Sequence, residues 1–335
     1  MKRFAFALLL GSSVCSFAQK SESVAAPYHH TRLPSNPLPD GMNNFHLVYK
    51  LDKLEKDYIR KNHTFDLDKL GIWGLERTEN EGVRITVVGD TMSITNYNNS
   101  TKIDDKTKYN KVVTFNRALH YTVSLPSGDS NPFLSETIDD HAYVKHGEWQ
   151  DSEVGAENWY VSNASSLANT YDPEITKKNI EKLSSELSDA IGYPPIEGSV
   201  PILRIKKYKK YTYPELDEAV DIARAAFALH RIDQKYMPDI CKERLQGALE
   251  IWKNVVASKN MIDDKAKVNE EVAALAYQNL ILVYGLMDEY EIVDELYASV
   301  EADINQYNPK GWESYLKNWK NYVDYRRKRV AANAK

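Results

Sequence analysis

Three clusters of residues could in principle do chemistry. Gly128-Asp129-Ser130 follows a strand-like run and places a serine beside a turn. Such a serine becomes a nucleophile only with a base and an orienting carboxylate, which an Asp-x-x-His further along would supply. No such spacing follows Ser130, and Pro132 obstructs the helix that should come after it, so the stretch reads as a loop. Asp139, Asp140, His141 and His146 bring four ligand-type residues close together. In a strand, however, residues five apart point to opposite faces, and neither a His-Glu-x-x-His pattern nor a cysteine pair is present. His29-His30 falls in an extended segment. No glycine-rich phosphate loop occurs, and no pair of carboxylates is singled out for glycoside hydrolysis. The sequence therefore predicts a non-enzymatic chain with no catalytic residues, no cofactor and no metal.

The remaining candidates are basic. Lys206, Lys207, Lys209 and Lys210 alternate with Tyr208 and Tyr211, a pattern that suits an anionic polymer or a membrane surface, or a solvated strand end with its lysine stems laid flat. Arg326, Arg327, Lys328 and Arg329 close the last helix, where cations complement the helix dipole. Residues 306–335 carry eight Lys or Arg against two acids on a chain whose formal charge is −5. The candidate binding surface is therefore Lys206, Lys207, Lys209 and Lys210 together with Arg326, Arg327, Lys328 and Arg329, the asymmetry favouring the second group. The overall charge excludes a general nucleic-acid footprint.

These side chains need elements to position them. Lys2 and Arg3, then an apolar Phe4–Leu10, then Ser16-Phe17-Ala18 fit a leader over residues 1–18 with Gln19 as the first mature residue. The apolar run is too short to span a bilayer, and nothing later is long enough. The chain is expected to be exported, to the periplasm or the cell surface. Cys15 offers lipid attachment as the alternative. After cleavage Cys241 stands alone, so no internal disulfide can form, which fits a bacterial envelope better than a eukaryotic secretory route. Gln19 after the cut, the aromatic content (22 Tyr) and the short glycosylation-like Asp90-Thr91-Met92 resemble exported proteins of the Bacteroidetes.

Residues 19–43, with Pro34, Pro37 and Pro39, read as an extended tether. Residues 44–210 read as a β-rich domain. Phe45, Leu47, Tyr49 and Leu51 alternate, as do Val83, Ile85 and Val87 before Gly89-Asp90 and then Met92, Ile94 and Tyr97, which predicts a hairpin turning at Gly89-Asp90. Val112–Phe115 and Leu119–Leu125 suggest a second pair, and 141–149 a further strand. Asp172 as cap and Pro173 at the first position predict one helix over 173–191. Val200–Tyr208 reads as a last strand returning to this sheet.

Residues 211–335 read as a helical array. Thr212 and Glu215 form a capping box, Leu245, Leu249 and Trp252 line a second helix, and Asn308-Pro309 opens the last one. Between them, Val268, Val272, Leu275, Ala276, Leu280 and Val283 recur at steps of three and four, and Tyr290, Val293, Leu296, Tyr297, Val300 and Ile304 do so after a short turn. Tyr277, Leu280, Tyr284, Tyr290 and Tyr297 stand where large residues stand in a tetratricopeptide repeat, and the hairpin resembles one such repeat, departing at Ile281, Val293 and Asn305. An ordinary helical hairpin in an all-α domain satisfies the same periodicity.

The expected fold class is α+β, a β-rich N-terminal domain followed by a helical array. The expected function is that of a non-enzymatic cell-envelope scaffold with a protein partner. The alternative is glycan binding by aromatic residues of the β-rich part, where Trp73, Trp149 and Trp159 could stack on sugar rings.

Overall fold

The structure, a computed structural model, describes residues 21–50, 70–126, 131–139 and 142–334. The leader at 1–18 with Cys15, the Gly128-Asp129-Ser130 stretch, Asp140 and His141 lie outside the described residues. The class is α+β: strands dominate the N-terminal half and helices the C-terminal half. Leu38–Gly192 forms one compact unit. The flanking segments, up to Pro37 and from Tyr193 onward, form a second.

Leu38–Gly192 is built on strands that run through two sheets. β2 (Asn44–Lys50), β3 (Glu76–Arg77), β4 (Val83–Gly89), β7 (Leu119–Ser124) and β8 (Leu134–Ile138) make a sheet of order β3-β2-β4-β7-β8, with β2 parallel to β3 and β4. β5 (Ser93–Ile103), β6 (Lys106–Asn116) and β9 (Ala142–His146) make a three-stranded antiparallel sheet of order β5-β6-β9. The two sheets share their ribbon. Gly89 pairs with Leu119, Asp90 donates its N–H to Ala118, and pairing resumes at Ser93 and Asn116, one residue out of step. Leu119 with Ile138 and Asn116 with Ala142 repeat this on the other side.

The expected hairpin at Gly89-Asp90 is therefore corrected: the chain bends there and keeps its direction. It reverses at Asp104-Asp105, between the paired Ile103 and Lys106, with φ of 48° and 57°. Two left-handed residues make the turn whose twist matches that of the flanking strands. The second expected pair is corrected in the same way, because β6 and β7 lie along one bent strand path.

One helix serves both sheets. α1 (Glu153–Ala190) has 38 residues, so it is about 57 Å long. It starts at Ser152, whose hydroxyl accepts from the Gly155 N–H at 3.1 Å. Its first half puts Trp159, Tyr160, Leu167 and Tyr171 against Val113 and Phe115 of the small sheet. Its second half puts Ile180, Leu183 and Leu187 against Phe45, Ile85, Val87 and Tyr121 of the larger one. The expectation that Pro173 opens the helix is corrected, since it lies inside. A proline there removes one backbone hydrogen bond, at a cost of about 3 kcal/mol in an isolated helix. Here the proline is level with the ribbon's bend: Asp172 pairs with Arg117 at 2.8 Å, and Asn179 donates to the Arg117 carbonyl at 2.6 Å. Packing on both sides of the bend holds the helix together through the proline.

The second unit joins the chain's beginning to its end. The segment read as a tether contains β1 (Glu22–Thr31), paired antiparallel along its whole length with β10 (Pro195–Arg204), from Glu22 opposite Arg204 to Thr31 opposite Pro195. The expected return of this last strand to the β-rich sheet is corrected accordingly, and the division falls at Gly192 rather than near 210. Five helices follow: α2 (Pro214–Phe227), α3 (Asp239–Ala257), α4 (Glu270–Leu286), α5 (Tyr290–Tyr307) and α6 (Trp312–Asn333). Thr212 does not cap α2. It lies in β12 (Tyr211–Thr212), which pairs with β11 (Lys207–Tyr208), and Glu215 binds Lys267 at 2.7 Å instead. Asn308 does not open α6 but ends α5, left-handed at φ 48°.

α4 is the central element. It is buried on nearly every face, against α3, α5, α6 and β10. Trp252, Tyr284 and Tyr297 are buried in one continuous cluster, and the Tyr297 hydroxyl reaches the Trp319 carbonyl at 3.3 Å. Among the described residues no helix is long and apolar enough to cross a membrane.

Candidate interaction surfaces

The two basic stretches meet different fates. Lys206 to Tyr211 fold into the small β11–β12 hairpin, with Lys209 and Lys210 at its turn. Lys206 lies 3.9 Å from Glu22, Lys209 lies 3.2 Å from the Asp264 carboxylate, and Lys210 sits over the Tyr211 ring. Lys207 is exposed. The C-terminal stretch does not form a patch, because consecutive residues of a helix point about 100° apart. Arg326 makes a two-pronged bond to Asp288, at 2.7 and 2.9 Å, in an enclosed setting. Arg327 holds Asp294 at 2.7 Å and the Tyr290 carbonyl at 2.9 Å. Arg329 is buried and donates to the Leu33 carbonyl at 2.6 Å. Lys328 alone of the four is exposed. Three arginines thus fasten α6 to its surroundings.

Asp139 and His146 are exposed, and among the described residues no three His, Cys, Asp or Glu side chains converge as metal ligands would. Thr91 is exposed at the ribbon's bend, beside an Asp90–His120 contact of 2.7 Å. Of the three tryptophans weighed for sugar stacking, Trp159 packs against the small sheet, whereas Trp73 is 60% and Trp149 is 41% exposed.

In the helical unit, one face that could take an extended peptide is already filled. β10 runs along α4, and fully buried Asn279 accepts from the Leu203 N–H at 2.9 Å and donates to the Leu203 carbonyl at 2.8 Å. An open groove of ≈ 550 Å³ lies between α5 and α6. Ile304 and Leu316 supply its apolar lining, and Glu301, Glu313, Asp324, Lys317 and Lys320 supply charge of both signs. Lys320 pairs with Glu301 across it.

Sequence reading missed a polar aromatic cluster. The buried Tyr28 ring stacks with His30 at 4.8 Å and with His230 at 4.9 Å, with Phe227 edge-on at 5.5 Å. His230 Nε2 lies 3.1 Å from the Tyr236 carbonyl. Burial pushes His30 down to about 3, helped by the Arg326 charge, and burial lowers His230 as well. Both imidazoles are therefore neutral at pH 7. The His29-His30 pair was visible in the sequence, but nothing local announces that residue 230 joins it.

No family model matches the chain, and no curated protein matches it. Among solved structures, a minor lipoprotein from Acinetobacter baumannii aligns at 11% identity over 44% of this chain and 93% of that one, with a TM-score of 0.20. A likeness of that size carries no argument about fold or function.

Proposed function

We propose that this chain is an exported, non-enzymatic interaction protein of the bacterial cell envelope, with its helical array as the partner-binding part. The observation that carries this reading is the open groove between α5 and α6, where Ile304 and Leu316 lie within a rim of mixed charge. Apolar centres inside polar rims suit protein partners, because the centre is desolvated while the rim fixes register. The buried Tyr277, Tyr284 and Tyr297 support a helical hairpin of the tetratricopeptide kind, in which short hairpins stack to build such grooves. The leader-like residues 1–18 support export.

Affinity capture from envelope fractions of the native host tests the reading. A partner recovered with the natural chain should be lost with Lys317→Glu plus Lys320→Glu, both on the groove's rim. Equal recovery with that variant removes the groove from the account. Terminal sequencing of the exported protein should begin at Gln19.

A second reading, glycan binding, is favoured by the exposure of Trp73 and Trp149. Exposed indole rings stack on the apolar faces of sugars. Tryptophan fluorescence titrated with envelope polysaccharide should shift, and Trp73→Ala should abolish most of the shift. A flat titration excludes this reading.

A further inference from the structure

Among the described residues, β5 is an edge strand of unusual exposure. It bonds to β6 on one side through an unbroken register from Ser93–Asn116 to Ile103–Lys106. Every one of its side chains is exposed except half-buried Asn99. Soluble proteins protect such edges with prolines, bulges, several charges or short length. β5 has eleven residues, no proline and no bulge, and its single charge is Lys102. The opposite edge, β9, is protected by its five-residue length and by Lys145.

We propose that β5 is a self-association edge: two copies pair antiparallel through residues 93–103, about a two-fold axis at Asn98, to make one six-stranded sheet of order β9-β6-β5-β5-β6-β9. The strand's own sequence selects a second copy as occupant. With Asn98 on the axis, Thr95 faces Thr101 of the other copy, Asn96 faces Ser100, and Tyr97 faces Asn99. Thr–Thr pairs are favourable cross-strand neighbours. Tyr97, 60% exposed in the single chain, comes diagonally opposite its own copy, within reach of an aromatic ring.

Charge agrees with this direction. Antiparallel pairing sets Lys102 against Ile94 and holds the two Lys102 residues about 27 Å apart, well beyond the screening length of about 8 Å at physiological salt. Parallel in-register pairing would set them side by side. The α1 helices also leave room within the joined sheet. α1 packs chiefly over β6, and the two β6 strands would be three strand spacings apart, about 14 Å. Packed helices need only about 8–10 Å between axes, so the two α1 helices do not collide.

The test uses the full mature chain and follows sedimentation across concentration. The natural chain should show a monomer–dimer equilibrium. Asn96→Lys with Ser100→Lys puts lysines face to face across the axis and should weaken the dimer at least tenfold. Asn96→Lys with Ser100→Glu puts each lysine against the other copy's glutamate and should restore it. In the same mature chain, whose own Cys241 is buried, Asn98→Cys should give a disulfide-linked dimer on mild oxidation. Circular dichroism of both double variants checks that they fold. A natural chain that stays monomeric at every concentration overturns the proposal. So does a dimer that the two double variants affect equally, or an Asn98→Cys chain that fails to cross-link.

Discussion

Asn279, fully buried in α4, satisfies both backbone polar groups of Leu203, with its Oδ1 2.9 Å from the amide nitrogen and its Nδ2 2.8 Å from the carbonyl oxygen. One side chain thereby closes a stretch of strand edge that β1 cannot reach, because β1 pairs along the other edge of β10. Asn279→Leu keeps the volume and leaves both groups unpaired. Each buried orphan costs about 1–3 kcal/mol. The urea midpoint should fall by the equivalent of about 2 kcal/mol or more, and the Leu203 amide should lose protection from hydrogen exchange. An unchanged midpoint would show that water reaches this edge freely.

Tyr297 gives a packing test. It is buried between helices, and truncation to Ala leaves a cavity at a cost of about 3–5 kcal/mol. The thermal midpoint should drop by about 6–20 °C in a domain of this size. Tyr325→Ala, on the exposed side of α6, should shift it by no more than a degree or two. Equal effects would mean that the α5 stripe faces water.

The two histidines give a pH test. Burial, with the Arg326 charge beside it, lowers His30 to about 3, and burial lowers His230. Asp288, Arg32 and His29 also bear on this site. An unfolded histidine titrates near 6.5. Below that pH the unfolded chain binds protons that the folded chain refuses, so stability is full above about 6.5 and falls as pH drops toward 3. His30→Phe should flatten that decline in urea midpoints measured from pH 7 to 4. A slope unchanged by the substitution would place the acid sensitivity elsewhere.

Arg326 and Lys328 are two residues apart and should behave oppositely. Removing one member of an enclosed ion pair costs about 3–5 kcal/mol, because the partner charge stays behind. Asp288→Asn should therefore lower the thermal midpoint strongly, and Arg326→Lys should lower it less, since lysine keeps the charge but loses the two-pronged geometry. Lys328→Glu should leave it nearly unchanged. Calorimetry on the three variants decides the matter.

The helical array was legible because its apolar stripe repeats at 3.6 residues over whole helices, and no other structure satisfies that spacing. Helix ends were less legible. Asn308 suits a left-handed end as well as a cap, and Pro173 suits a first turn unless outside packing carries the helix past it. The ribbon was misread for a chemical reason. Gly89-Asp90 has turn residues but sits at a bend, whereas Asp104-Asp105, the true turn, lacks the glycine that usually marks one. The pairing of β1 with β10 left no local trace, because strands far apart in sequence find each other through the finished core. The basic tract misled for a geometric reason: four neighbours in sequence are four directions on a helix.

The split unit has a consequence for the order of events in the cell. A nascent chain emerges N-terminus first and folds segment by segment. Leu38–Gly192 is complete before Tyr193 is synthesised, so its sheets can close while β1, already made, still has no β10 to pair with. The oldest strand on the ribosome is thus among the last to be seated. Until then its unsatisfied backbone is open to any extended neighbour, which makes residues 22–31 the stretch where a chaperone of nascent or translocating chains would have most to protect.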